Sequence, residues 1–157
     1  MSLQSVQQFF AEYAADISII QSSGSTATVD LAADAHGVEP GQIAKTLTLR
    51  VGDRVLLVVT RGDTRLDNKK LRQVFGGKAK MLDPETVLAL TGHPVGGVCP
   101  FGLATDLPVY CDISLRDFDL VMPAAGSANS TLRIEPERLA SLAKAEWVDV
   151  SQVSQSV

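Results

Sequence analysis

Apolar positions change their period several times along this chain. Leu3, Val6, Phe9, Phe10 and Tyr13 recur at helical spacing, which predicts a helix over residues 3–15. Ile17 to Ile20 reads as a short strand and Ser22-Ser23-Gly24-Ser25 as a loop. Thr28 is a cap for a helix over 29–36, which Gly37 ends. Pro40-Gly41 begins a short turn leading to Lys45. Thr46 to Val51 and Arg54 to Thr60 are rich in Val, Leu and Thr, and Gly52-Asp53 joins them as a two-residue hairpin. Leu66, Leu71, Val74 and Phe75 predict a helix stopping before Gly76-Gly77. Asp83-Pro84 reads as a cap followed by proline at the first helical position, opening a helix that runs to Leu90.

Residues 92–102 are too rich in glycine and proline for regular structure. Beyond them, Val109 to Cys111 and Leu120 to Ala124 predict strands, and Gly126-Ser127-Ala128-Asn129 a turn into a strand over 131–134. Pro136 to Ala143 predicts a short helix, Trp147 to Val150 a last strand, and the polar tail after Ser151 a frayed end. The mixed order of strands and helices implies an α+β or mixed-sheet domain. With 157 residues and no linker or repeat, one domain over 1–157 is expected. The longest apolar runs, such as Val55 to Val59, fall far short of the roughly 20 residues of a membrane span. Residues 1–4 lack a signal-peptide pattern, and Cys99 and Cys111 form neither a disulfide framework nor a CxxC motif, so a reducing cytoplasm is expected.

Net charge is −4, but its distribution is uneven. Lys45 to Lys80 holds ten of the fourteen Lys and Arg residues against Asp53, Asp63 and Asp67, so this segment is +7 and the remainder −11. A basic segment in an acidic protein is either a footprint for a polyanion or a solvated hairpin and helix face.

Two places can carry chemistry. Lys45 stands at a strand start behind the apolar Ile43-Ala44, where a partly buried ammonium would hold a phosphate or a developing negative charge. In the 92–102 loop, four glycines let the backbone approach a ligand and offer N–H groups to an oxyanion. Cys99 and His93 share that loop and could pair as nucleophile and base; the alternative is that Cys99 only lines a pocket. Asp83 and Asp112 read as caps, and no His/Cys cluster predicts a metal site.

Taken in order, Thr28, the run Gly37-Val38-Glu39-Pro40-Gly41-Gln42-Ile43-Ala44-Lys45-Thr46-Leu47, Asp67-Asn68-Lys69-Lys70-Leu71 and Gly92 to Gly102 resemble the YbaK/prolyl-tRNA synthetase-associated family over residues 20–150. The resemblance implies a mixed, barrel-like curled β-sheet surrounded by helices. It implies a metal- and cofactor-free trans-editing deacylase that hydrolyses the ester of mischarged tRNA. The partner would be the 3′ acceptor end of aminoacyl-tRNA, with an aminoacyl-tRNA synthetase as a second partner. Lys45 matches the family's functional lysine, Gly96 to Gly102 its substrate-carbonyl loop, and Thr28 with the Gly126–Asn129 turn its amino-acid pocket. The expected catalytic groups are Lys45 and the backbone of Gly97 and Val98. The expected substrate-binding residues are Thr28, Thr46, His93, Gly96, Cys99, Pro100, Phe101, Gly102, Ser127 and Asn129. Thr46 replaces the Asn that follows the lysine in some alanine-specific members, and Ser127-Ala128-Asn129 lacks the histidine of others, so alanine, cysteine, serine and threonine all stay open as the amino acid removed. Water would attack with help from a tRNA ribose hydroxyl, because the sequence reveals no protein base. The alternative is a non-catalytic tRNA- or synthetase-binding module of the same fold.

Overall fold

The computed structural model describes residues 2–153. Its core is a six-stranded mixed sheet built on one long hairpin. Strand β2 (Ile43–Val51) pairs antiparallel with β3 (Arg54–Arg61), and Gly52, at φ 62°, supplies the left-handed residue of the two-residue turn. On the β3 side, β6 (Val109–Asp112) and then β9 (Glu146–Val148) add in parallel. On the outer edge of β2, β5 (Ala79–Met81) pairs antiparallel with Leu49 to Val51, and β7 (Met122–Pro123) pairs parallel with Ile43 and Ala44. The end strands β5 and β9 do not meet, so the sheet is open rather than closed into a barrel.

Two short antiparallel pairs complete the strands. β1 (Ile20–Gln21) pairs with β8 (Ser130–Thr131), and β4 (Thr64–Leu66) pairs with β10 (Ser151–Val153). The first part of the tail expected to fray is therefore ordered in β10. Residues 154–157 lie outside the described residues.

Alternation along the hairpin separates two cores. Ala44, Leu57 and Val59 face helix α1 (Ser2–Tyr13), whose Val6 and Phe10 are buried one turn apart. Phe10 meets Phe101 edge-on at 4.8 Å. Leu49, Val51, Leu56 and Val58 face helix α3 (Asn68–Phe75), through Leu71 and Phe75. The expected caps form. Thr28 accepts from the Leu31 N–H at the start of α2 (Val29–His36), and Asp83 from the Thr86 N–H at the start of α4 (Pro84–Thr91). Helix α5 is Pro136–Ala143, as expected. Leu66, expected in a helix, is instead in β4, because Asp67 caps α3 by accepting from Lys69 and Lys70 N–H.

Asp112 does more than cap the 3-10 turn Ile113–Asp117. Fully buried, it accepts from the Ser114 N–H (3.0 Å), the Val150 N–H (2.8 Å) and the Ser151 hydroxyl (2.6 Å). It thereby ties the end of β6 to the start of β10. Asp112→Ala strands these donors and is expected to cost about 3 kcal/mol. Urea unfolding would show this as a lower midpoint at unchanged slope; a loss below about 1 kcal/mol would contradict the role.

Candidate functional site

The outer edge of β2 is covered at both ends and open in the middle. β7 stops at Pro123 opposite Ala44, and the chain beyond β5 turns into α4 at Asp83-Pro84. Pro123 has no N–H to extend the β7 ladder, and Pro84, three residues past the end of β5, suits the first position of α4 with its fixed φ. Lys45 to Thr48 are left without a strand partner on that edge. Successive backbone groups point to opposite edges of a strand, so alternate residues of this stretch have N–H and C=O groups free there.

A cavity of about 300 Å³ occupies the opening. Its walls are mostly apolar, with Ile43, Leu47, Leu82, Val87, Val98 and Met122 among them. Its polar lining residues are Thr26, Thr28, Lys45, Thr46, Thr48 and Thr131. Among the described residues, the Thr46 and Thr48 hydroxyl oxygens are buried without a hydrogen-bond partner. They stand two residues apart on one face of β2.

Lys45 is half-buried, and its ammonium donates to the Thr64 carbonyl. Burial lowers its pKa below the usual lysine range, and the nearby Asp63 charge opposes this. Asp63 is itself held by Arg61 through paired bonds of 2.6 and 2.7 Å, and Arg61 also reaches Asp117 at 2.8 Å. Lys45 is thus fixed by one carbonyl, with two ammonium protons in reserve.

Of the residues singled out from sequence, the structure brings Thr28, Lys45, Thr46, Gly96 and Val98 to the cavity wall. The rest stand behind it. Gly97 gives its N–H to the Pro94 carbonyl (2.9 Å), and its Cα presses on Ser127, so a methyl group there would meet the Ser127 nitrogen at 2.6 Å. Gly102 and Gly126 let backbone pass under α1, where added Cβ atoms would meet Ser5 and Ser2 backbone at 2.8 Å. The glycines of this loop thus serve close packing of the chain on itself. Among the described residues, the N–H groups of Gly96 and Val98 have no acceptor. Ser127 and Asn129 bond each other at 2.9 Å, and the Asn129 side-chain amide donates to the Ser22 carbonyl. Pro100 is buried outside the cavity lining.

His93, Cys99 and Phe101 are fully buried. His93 Nε2 lies 2.7 Å from the Phe101 carbonyl, which only accepts, so Nε2 carries the proton and Nδ1 accepts from the Ser2 hydroxyl at 2.5 Å. The ring is committed on both sides. Cys99 Sγ turns toward the same carbonyl, and burial pushes its pKa up to about 12. The nucleophile–base pairing fails on geometry, because the imidazole presents its N–H side to the sulfur.

One polar pair was missed from sequence. Thr131 of the cavity wall has its Oγ1 2.8 Å from Nε2 of His36, the last residue of α2. The tertiary fold brings these positions, 95 residues apart, together. No local sequence signal announces it.

The sequence profile of the aminoacyl-tRNA editing domain matches residues 23–142. The chain belongs to this family. It is 47% identical over 152 residues to the uncharacterised protein YwhH of Bacillus subtilis, covering 96% of this chain and 97% of that one. It is 32% identical over 98 residues, 62% of its own length, to a proline–tRNA ligase of Citrifermentans bemidjiense, and that match spans 17% of the ligase. A solved structure described as a candidate trans-editing enzyme for prolyl tRNA synthetase superposes with TM-score 0.88 at 32% identity, covering 96% of both chains. The editing domain's helices and open mixed sheet are those of this neighbour. No helix among its described residues is long and apolar enough to cross a membrane.

Both cysteines are buried with raised pKa values. Iodoacetamide at pH 8 is expected to leave both unmodified in the folded editing domain while alkylating both in urea, as read by intact mass. Rapid labelling of Cys99 in the folded protein would contradict its placement.

Proposed function

We propose that this editing domain hydrolyses the ester of mischarged aminoacyl-tRNA in the cavity beside β2, acting in trans on a small amino acid such as alanine, cysteine, serine or threonine. The observation that carries the reading is the coincidence of three features at one opening: a partly buried lysine, backbone N–H groups without acceptors, and a small apolar chamber. Lys45 holds the terminal adenosine phosphate or the developing oxyanion. The Gly96 and Val98 N–H groups hold the ester carbonyl, a role in which Gly97 takes no part because its N–H is spent. Ile43, Leu82, Val87 and Met122 bound the space for the amino-acid side chain. Exclusion by size suits such a site, since one methylene gives only about 1–3 kcal/mol of direct discrimination. The chemistry is metal-free in this reading.

The basic segment supports contact with the acceptor end. Arg50 and Lys80 are exposed and stand directly opposite each other across β2 and β5, on the face that carries Thr46 and Thr48. Like charges in register repel, and a phosphate between them relieves the repulsion. Asp83 is the acidic neighbour of Arg50, and its pKa is lowered chiefly by the hydrogen bond from the Thr86 N–H. An aminoacyl-tRNA synthetase is the partner from which such a substrate would be passed.

Lys45→Ala is expected to lower the deacylation rate on a panel of alanyl, cysteinyl, seryl and threonyl tRNA esters at least about 100-fold, with an unchanged circular dichroism spectrum. Near wild-type turnover by the folded variant would refute the role. Hydrolysis of no ester, together with salt-sensitive tRNA binding, would point to a binding module instead. Arg50→Ala/Lys80→Ala should make the log–log salt dependence of tRNA affinity shallower by roughly 1.5. An unchanged slope would remove these residues from the interface.

A further inference from the structure

Resting on that reading, the cavity still lacks a protein group that takes a proton from water. The acidic residues offer none: among the described residues, no Asp or Glu lines the cavity. Lys45 is engaged with Thr64, His93 is committed on both ring nitrogens, and Cys99 faces away into the core. One base is within reach of the wall through a single hydroxyl. We infer that Thr131 and His36 form a proton relay for the hydrolytic water, Thr131 at the cavity wall and His36 behind it.

The geometry is that of a relay. The Thr131 Oγ1 to His36 Nε2 distance of 2.8 Å is a full hydrogen bond. A hydroxyl has one proton and two lone pairs, and among the described residues this oxygen has no second partner. With its proton given to Nε2, its lone pairs are free to accept from a water in the cavity. The strand pairing holds the hydroxyl in place: Thr131 stands opposite Ile20 in β1 and bridges to Ala124. The ring is held neutral before the reaction by burial, which lowers its pKa, and by the charge of Arg133 two residues beyond Thr131. His36 also ends α2, where the negative end of the helix dipole favours an imidazolium once one forms.

The step balances as follows. Water oxygen bonds to the ester carbonyl carbon, one of its protons passes to Thr131 Oγ1, and the threonine proton passes to His36 Nε2. Collapse of the tetrahedral intermediate breaks the bond from carbonyl carbon to ribose oxygen. The proton returns through Thr131 to that oxygen, leaving free amino acid, uncharged tRNA, the threonine hydroxyl and a neutral imidazole. The relay assigns to the protein a transfer that would otherwise fall to a ribose hydroxyl of the substrate. Positioning alone would be served by any hydrogen-bonding side chain at position 36, and this is what separates the two roles.

The test is single-turnover deacylation of the ester in the four-member panel that wild type hydrolyses fastest, measured from pH 5 to 8. His36→Gln keeps a hydrogen-bonding group beside Thr131 but cannot take the proton. It is expected to reduce the single-turnover rate about 100-fold, leave tRNA affinity unchanged and abolish the fall in rate toward acid pH that protonation of His36 produces in wild type. Thr131→Val should lose as much, and Thr131→Ser should recover most of the rate. Wild-type rate and acid limb retained in His36→Gln, or a full rate in Thr131→Val, would overturn the relay. If Lys45→Ala is inactive in the same assay, the editing reading stands without it. A wild type inert on all four esters would overturn both.

Discussion

Everything at the candidate site depends on four residues of β2 that have no strand neighbour on one edge. A sheet edge inside a folded domain is normally paired or covered, because its N–H and C=O groups are costly to bury alone. Here the pairing is interrupted. β7 covers Ile43 and Ala44, β5 covers Leu49 to Val51, and Pro123 and Pro84 divert both chains before they meet. The gap exposes backbone polarity, Lys45, Thr46 and Thr48 at the wall of a mostly apolar chamber. A continuous strand in its place would leave no site.

Around this gap, the polar groups of the glycine-rich loop are largely consumed in holding the loop itself. Pro94 takes the Gly97 N–H, Gly97 takes the Gly126 N–H, and His93 links Ser2 to Phe101. Helix α1 lies outside the stretch matched by the family profile, yet its first turn sits directly on Gly102 and Gly126. The helix therefore braces the wall from behind while Phe9 and Phe10 pack on Phe101.

Much of this was legible in the sequence, for local reasons. Capping residues and αL glycines set the bounds of α2 and α4 closely, proline at the first helical position marked the start of α5, and Gly52-Asp53 fixed the hairpin. Lys45, Thr28 and the 92–102 loop stood out through chemistry and family resemblance together. What was not legible is long-range. β4, β5 and β10 are three-residue strands with little pattern of their own, made by pairing across the chain. The same holds within the site. Composition marks the loop as glycine-rich but cannot say which glycines face a ligand and which face Ser2, Ser5 or Ser127. His36 reads only as the end of a helix until the tertiary fold brings Thr131 to it.

The central claim is that the opening beside β2 receives the aminoacyl end of tRNA. Its most direct test is amide chemical-shift mapping with a short acceptor-stem RNA carrying a non-hydrolysable 3′-alanyl amide. The account predicts that the perturbed amides centre on Thr46 to Thr48, Gly96, Val98 and Thr131, with the uncharged RNA moving the rim around Arg50 and Lys80 but not the interior. Perturbations centred instead on the separate groove between Asp16 and Arg138, with the β2 edge unchanged, would contradict it.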